Sequence, residues 1–320
     1  MDLDTDTDLV DRSDLSKIQF VLKAKEDIYS SIDGSLMFEK DSVITTENSG
    51  AIVNTGNEVR NGIYALSLDG HLDISNLPMS TKGASYYLQE VKTLDGCVLD
   101  TAQYDAVFKQ SDFTTKNYIK SFDVENKTTD FEFNKTDVTG DKEVEGAQLT
   151  ITDEDGNVVD QWTSDGKVHS IEGLVVGKTY TLSETVTAKD YVKATDIKFT
   201  VKNSSELEKV TMKDKQVFVS KTTVGGEEVT GAHMQIIDED GNIIDEWYSE
   251  GKSHIANGLE EGKTYTLHED LSPLGFNLAN DFTFEVTKEK ENQTVEMVDT
   301  VTEVNKTDVD GKAVKEATLS

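Results

Sequence analysis

Lys178–Glu184 reads KTYTLSE, and nearly the same run returns as KTYTLHE at Lys263–Glu269, 85 residues downstream. In a strand, alternate side chains share a face, so Tyr180, Leu182 and Glu184 point one way, as do Tyr265, Leu267 and Glu269. That face is apolar except for one carboxylate. A glutamate in such a row sits either at an exposed strand end or in the core with a partner. The rest of the chain supplies candidates for the partner.

Gly146–Glu184 and Gly231–Glu269 align without a gap, and more than half of their positions are identical, among them DEDGN, a tryptophan, a histidine and GKTYTL. A fixed period of this kind marks tandem modules. The same offset carries Asp214 in VTMKD onto Asp299 in VEMVD, and Lys221 onto Lys306. Lys135 lies one residue off the period because the turn that follows it is longer by one. Strand parity then gives these residues one address. Phe131, Phe133 and Lys135 alternate, as do Val217, Val219 and Lys221; Val210, Met212 and Asp214 alternate, as do Val295, Met297 and Asp299. Each repeat therefore aims one amine and two carboxyls at its own core.

Three buried ionisable groups are costly unless they pair or neutralise, and desolvation favours neutral forms. A neutral amine is a nucleophile. If Lys135 meets Asp214 with a protonated Glu184 beside both, the acid can polarise the aspartate carbonyl and shuttle protons while water leaves. The product is an isopeptide bond, made once per molecule. The other reading of the same residues is a buried ion pair, or strand-end charges in water.

The run NKTD, then GAQLTITDEDGNVVDQWTSDGKVHSIEGL, GKTYTLSE and the closing VTMKD resembles the Cna-B or SpaA-like modules of Gram-positive surface adhesins and pilins, closely over Phe131 to about Val301. The resemblance implies an all-β fold: tandem transthyretin-like (Ig-like) β-sandwich modules whose first and last strands are joined by an isopeptide bond, promoted by the glutamate of the YTLxE strand. Carried over residue by residue, it implies Lys135, Glu184 and Asp214 in one repeat and Lys221, Glu269 and Asp299 in the next. The expected organisation is a divergent SpaA-like sandwich over 1–127, Cna-B-like repeats over 128–216 and 217–301, and the truncated start of a third over 302–320. Connections between the modules are short and not rich in Pro, Gly or Ser, which predicts an elongated rod rather than beads on flexible linkers.

The divergent first unit keeps part of the pattern. Tyr86, Leu88 and Glu90 alternate like the other glutamate strands, and Phe122, Val124 and Asn126 put an amide where the repeats have aspartate. IQF at 18–20 aligns with AQL at 147–149, but the amine is missing, and Asp4 or Asp6 stands near its expected place. Glu90 and Asn126 are thus weaker candidates, and no cross-link is expected in this unit. Lys306 restarts the pattern without a glutamate or aspartate partner downstream in this chain.

Composition narrows the function. The 320 residues carry 31 basic and 62 acidic side chains, a net charge of −31, which argues against nucleic acid or an anionic membrane as partner. No apolar run is long enough to span a bilayer, so no membrane insertion is expected. The single cysteine, Cys97, excludes an internal disulfide and reads as a small buried hydrophobe. DEDGN at Asp153–Asn157 and Asp238–Asn242 resembles the start of a calcium loop but lacks its closing ligands, and a DG hairpin turn explains it. His169 and His254 have no second ligand at metal spacing, and Trp162 and Trp247 are assigned to packing. No metal or cofactor is expected.

The resulting expectation is a non-enzymatic structural stalk of an extracellular, cell-wall-attached surface adhesin, monomeric within a cell-wall-linked chain. Two alternatives stand beside it: a host- or matrix-ligand-binding module carried by residues 1–127, and a pilus shaft subunit.

Overall fold

The computed structural model describes residues 7–80, 82–109, 118–302 and 307–312, and their regular secondary structure is almost entirely β-strand. Three sheets repeat one plan. In the first, Gln103–Phe108, Ala84–Lys92, Gln19–Ala24, Ile63–Ala65 and Asn57–Arg60 lie in that order. In the second the order is Val158–Thr163, Gln148–Thr152, Thr179–Val186 and Ile197–Thr200; in the third it is Ile243–Glu250, Thr230–Ile237, Thr264–Leu271 and Phe282–Glu285. In each, the glutamate strand pairs antiparallel with the strand that starts the sheet's sequence order. Phe20 faces Glu90, Leu149 faces Glu184 and Met234 faces Glu269, with a register shift at the same point each time. The alignment of IQF with AQL is therefore borne out in register.

A second sheet carries the lysine and aspartate. Asp130–Asp137 lies between His169–Glu172 and Glu208–Asp214, and Val217–Thr223 lies between His254–Ile255 and Gln293–Asp299. The latter pair is parallel, with Lys221 opposite Met297 and Asp299 two residues on, on the same face. Side chains from both sheets build one core in the second repeat: Val217, Val219, Val295 and Met297 from one, Met234, Ile236, Tyr265 and Leu267 from the other. This is the expected β-sandwich. Its strands are those of the alternating rows, and the DEDGN turns close hairpins between them, with Gly156 and Gly241 at φ of 82° and 86°, where a Cβ would be strained.

By packing, the chain divides into two units, Met1–Phe133 with His169–Tyr180 and Phe199–Val210, and Asn134–Val168 with Thr181–Lys198 and Thr211–Ser320. The first holds a core of Leu22, Ile28, Tyr64 and Tyr86 and an aromatic cluster in which Phe199 meets Phe131, Phe133 and Tyr180 at centroid distances of 5.4, 5.6 and 6.0 Å. The second holds the core of the second repeat.

The first unit departs from expectation in its closing row. Phe122, Val124 and Asn126 are half-buried between exposed neighbours, as parity requires, yet residues 118–127 form no strand. A ladder needs a neighbour, and no counterpart of Phe131–Lys135 exists among the described residues of this sheet. Thr7–Asp8 instead pairs in parallel with Ile171–Glu172. Asp4, Asp6 and Lys306 lie outside the described residues.

Candidate functional site

Alternation puts the three ionisable groups of each repeat inside. Lys135, Glu184 and Asp214 are 2%, 1% and 0% exposed, and Lys221, Glu269 and Asp299 are 2%, 0% and 1%. Strand-end charges in water are thereby excluded. Lys135 Nζ donates to Asp214 Oδ1 and lies 3.2 Å from Glu184 Oε1. Lys221 Nζ donates to Asp299 Oδ1 and lies 3.2 Å from Glu269 Oε1. The two sites are copies in residue type, burial and distance. Lys135 and Asp214 are 79 residues apart in the chain, Lys221 and Asp299 78.

Each glutamate is aimed by a contact that strand parity does not reveal. Glu184 Oε2 accepts from Ala194 N–H at 3.0 Å, and Glu269 Oε2 from Ala279 N–H at 2.7 Å. In the first unit Glu90 Oε2 accepts from Asp100 N–H at 2.7 Å. The donor is ten residues ahead in all three, so the recurrence was present in the period without a local motif to mark it. With Oε2 occupied by an N–H, the other oxygen is left facing the amine. Glu184 Oε1, Asp214 Oδ2, Glu269 Oε1 and Asp299 Oδ2 are buried without a hydrogen-bond partner. The two glutamate oxygens have only the lysine ammonium 3.2 Å away, and the two aspartate oxygens are left unsatisfied, which is costly in a buried site.

Fully ionised, each site would hold two negative charges and one positive away from water. One added proton neutralises it. The Asp214 carboxyl is pushed up to about 7, chiefly by burial and also by the Glu184 carboxyl, against the pull of the Lys135 ammonium. The backbone of each lysine is fixed as well: Lys135 N–H donates to Glu143 and Lys221 N–H to Glu228, at 3.2 and 3.3 Å. Burial raises the Glu143 carboxyl.

The first unit brings Glu90 and Asn126 together, with no lysine amine paired to them among the described residues. Asn126 Nδ2 donates to Glu90 Oε1 and Oε2 at 2.9 and 3.0 Å. Glu90 is 3% exposed and its carboxyl is raised by burial. Cys97 is free and buried, its thiol pushed up by desolvation, as a small core residue.

The remaining motifs stand apart from these sites. Asp153 Oδ1 accepts from Asp155 N–H and Asn157 N–H at 3.0 and 2.8 Å, and Asp238 makes the same turn. The tryptophans are half-buried rather than central, because both lie on outer strands of their sheets. Trp247 packs on the second core and stacks on His254 at 4.0 Å, and His254 Nε2 meets Asp245 Oδ2 at 2.8 Å. His169 is buried. Among the described residues no cluster of three or more His, Cys, Asp or Glu is placed to hold a metal, and no helix is long and apolar enough to cross a membrane.

Comparison with known proteins adds the following. A family model described as "SpaA: Prealbumin-like fold domain" matches residues 129–216 and again 215–301, together more than half of the chain. No curated protein matches. Among solved structures, the Bacillus anthracis TIE protein is 19% identical with a TM-score of 0.36, the alignment covering 92% of this chain and 49% of that one, so the chain spans about half its length. The shaft pilin SpaA from Lactobacillus rhamnosus GG is 15% identical, covering 55% of this chain and 98% of that one, at a TM-score of 0.28. A streptococcal ancillary pilin is 17% identical, covering 77% and 80%, also at 0.28.

Proposed function

Because this chain belongs to the SpaA family of prealbumin-like fold domains, we propose that it is a structural stalk segment of a Gram-positive surface protein, each of its two matched repeats locked by an autocatalytic Lys–Asp isopeptide bond. The observation that carries the reading is the twice-repeated dry triad, amine against aspartate with a glutamate oxygen at 3.2 Å.

In the first repeat, Lys135 gives its proton to the site and its neutral Nζ attacks Asp214 Cγ. Glu184, protonated on Oε1 because Oε2 accepts the Ala194 N–H, donates to the aspartate oxygen and takes up the amine proton as the tetrahedral centre forms. The C–O bond to the protonated oxygen then breaks and one water leaves, so Nζ–Cγ replaces Cγ–O with no oxidant or cofactor. Lys221, Glu269 and Asp299 do the same in the second repeat. Exclusion of water serves the chemistry twice: it favours the neutral amine and acid, and it leaves the amide nothing to hydrolyse it. The reaction turns over once, and the product is a brace rather than a released compound.

The reading extends to location. A cross-linked, strongly acidic module suits the outside of a cell, and cell-wall attachment is part of the proposal. Intact mass under denaturing conditions tests the chemistry. The chain is expected to be lighter by two waters, with Glu184→Ala and Glu269→Ala each restoring one; a full unreacted mass sinks the reading.

A further inference from the structure

In the first repeat, the N–H that aims the catalytic glutamate sits in a loop gripped by the second repeat. Lys193 N–H donates to Leu259 O at 2.9 Å, and Glu261 N–H donates back to Lys193 O at 3.1 Å. Two residues on, Thr195 N–H and its hydroxyl both donate to Glu261 Oε2 at 3.1 Å. Ala194, whose N–H holds Glu184 Oε2, lies between these contacts. Glu261 is itself 7% exposed, and Lys290 Nζ meets both its oxygens at 2.8 and 2.9 Å.

The other reactive strand is gripped at the corresponding place. Lys215, next after Asp214, is fully buried, and burial lowers its ammonium. It donates to Thr287 O, to Thr287 Oγ1 at 2.9 Å and to Glu289 O at 3.3 Å, all in the second repeat, while its own carbonyl accepts from Val192 N–H of the first repeat at 2.9 Å. One hold is therefore a residue away from the N–H that aims Glu184, and the other a residue away from Asp214, which reacts. The second site differs. Its counterpart loop makes the same tie within its own repeat, Asn277 N–H to Thr300 O at 2.9 Å as Val192 N–H to Lys215 O, with Asn277 Nδ2 to Thr300 Oγ1 at 3.1 Å besides, but among the described residues it has no clasp like that of Glu261.

We propose that docking of the second repeat licenses the cross-link of the first: the Glu261 clasp fixes the Ala194 loop, and with it the Glu184 carboxyl, so that the Lys135–Asp214 bond forms promptly only once its neighbour has folded. The proposal rests on the cross-linking reading above. Its physical ground is the tolerance of a reaction between held groups, in which a displacement of about 1 Å costs on the order of a hundredfold in rate. Glu261 acts as a positioning residue through Thr195 and Ala194.

The test uses the full chain carrying photocaged lysines at 135 and 221, uncaged in denaturant and diluted into buffer, then quenched over time and digested. Each cross-linked peptide is quantified separately by mass, so the second bond reports folding within the same molecule. Glu261→Ala is expected to slow the first bond on the order of tenfold and leave the second at its wild-type rate. Glu261→Gln, which keeps an acceptor for Thr195, is expected to recover most of the loss, and Lys290→Ala to leave both rates near wild type. Equal slowing of both bonds by Glu261→Ala, or no slowing of either, overturns the coupling while leaving the cross-link reading intact. Absence of both bonds in the wild-type chain overturns the cross-link reading itself.

Discussion

A lysine ammonium, an aspartate and a glutamate shut away from water differ from a surface ion pair because no solvent compensates the unpaired charge. Asp214 Oδ2, buried without a hydrogen-bond partner, and Glu184 Oε1, held only by its 3.2 Å ion-pair contact with Lys135, show where the imbalance falls. Asp214 retains its proton to about 7 in the folded, unreacted state, against an ordinary 3.8. Folding thus takes up a proton between those values, so the unreacted fold is most stable below the window and loses stability as pH rises through it. The cross-linking rate is expected to fall in the same direction, because above about 7 the carboxylic acid that the amine must attack becomes a carboxylate. Timed mass measurements after dilution of the uncaged chain at pH 6 and pH 8.5 check this: first-bond formation is expected to be slower at the higher pH, and an increase counts against a protonated Asp214. These residues were legible in the sequence, since parity alone gave them a common face. The Ala194 and Ala279 donors were not, because a backbone N–H carries no residue-type signal.

Strands show where parity suffices and where it does not. Tyr180, Leu182 and Glu184 occupy one buried row as alternation requires, with Thr179, Thr181 and Ser183 between them half-buried. Leu267 is fully buried in the core shared by both sheets of the second repeat. Its replacement by alanine is expected to cost about 2–5 kcal/mol, measured by denaturant unfolding in a Glu269→Ala background so that no bond in that repeat masks the loss. A change within error of zero shows that this row is not the core. Phe122–Asn126 marks the limit. Its alternation survives as a burial pattern, but strand formation is a property of two segments, and the partner that would pair with it is not among the described strands of its sheet. The tryptophans mark another, since their identity does not say whether their strand is inner or outer.

At the scale of the whole molecule, the proposed bonds change what tension and proteases can reach. A link from Lys135 to Asp214 closes a loop of 79 residue steps, which by the chain-entropy argument for disulfides constrains the unfolded state by about 4–5 kcal/mol. Pulled from its ends, the chain is expected to extend only through the segments outside the two closed loops, and Glu184→Ala with Glu269→Ala to restore the full contour length in single-molecule force measurements. The unit containing Glu90 and Asn126, with no lysine amine beside them among the described residues, is expected to unfold under load in both. By itself the sequence determined the repeat, the strand faces and the identity of both triads, because period and alternation are written along the chain. Only the tertiary structure decided that Glu184 is aimed by Ala194, that Lys215 is buried, that Glu261 clasps the loop before it, and that Thr7–Asp8 pairs with Ile171–Glu172. Each of those depends on which distant backbone groups are left without a partner after the sheets have closed, and that is settled by three-dimensional proximity rather than by any pattern of residue types.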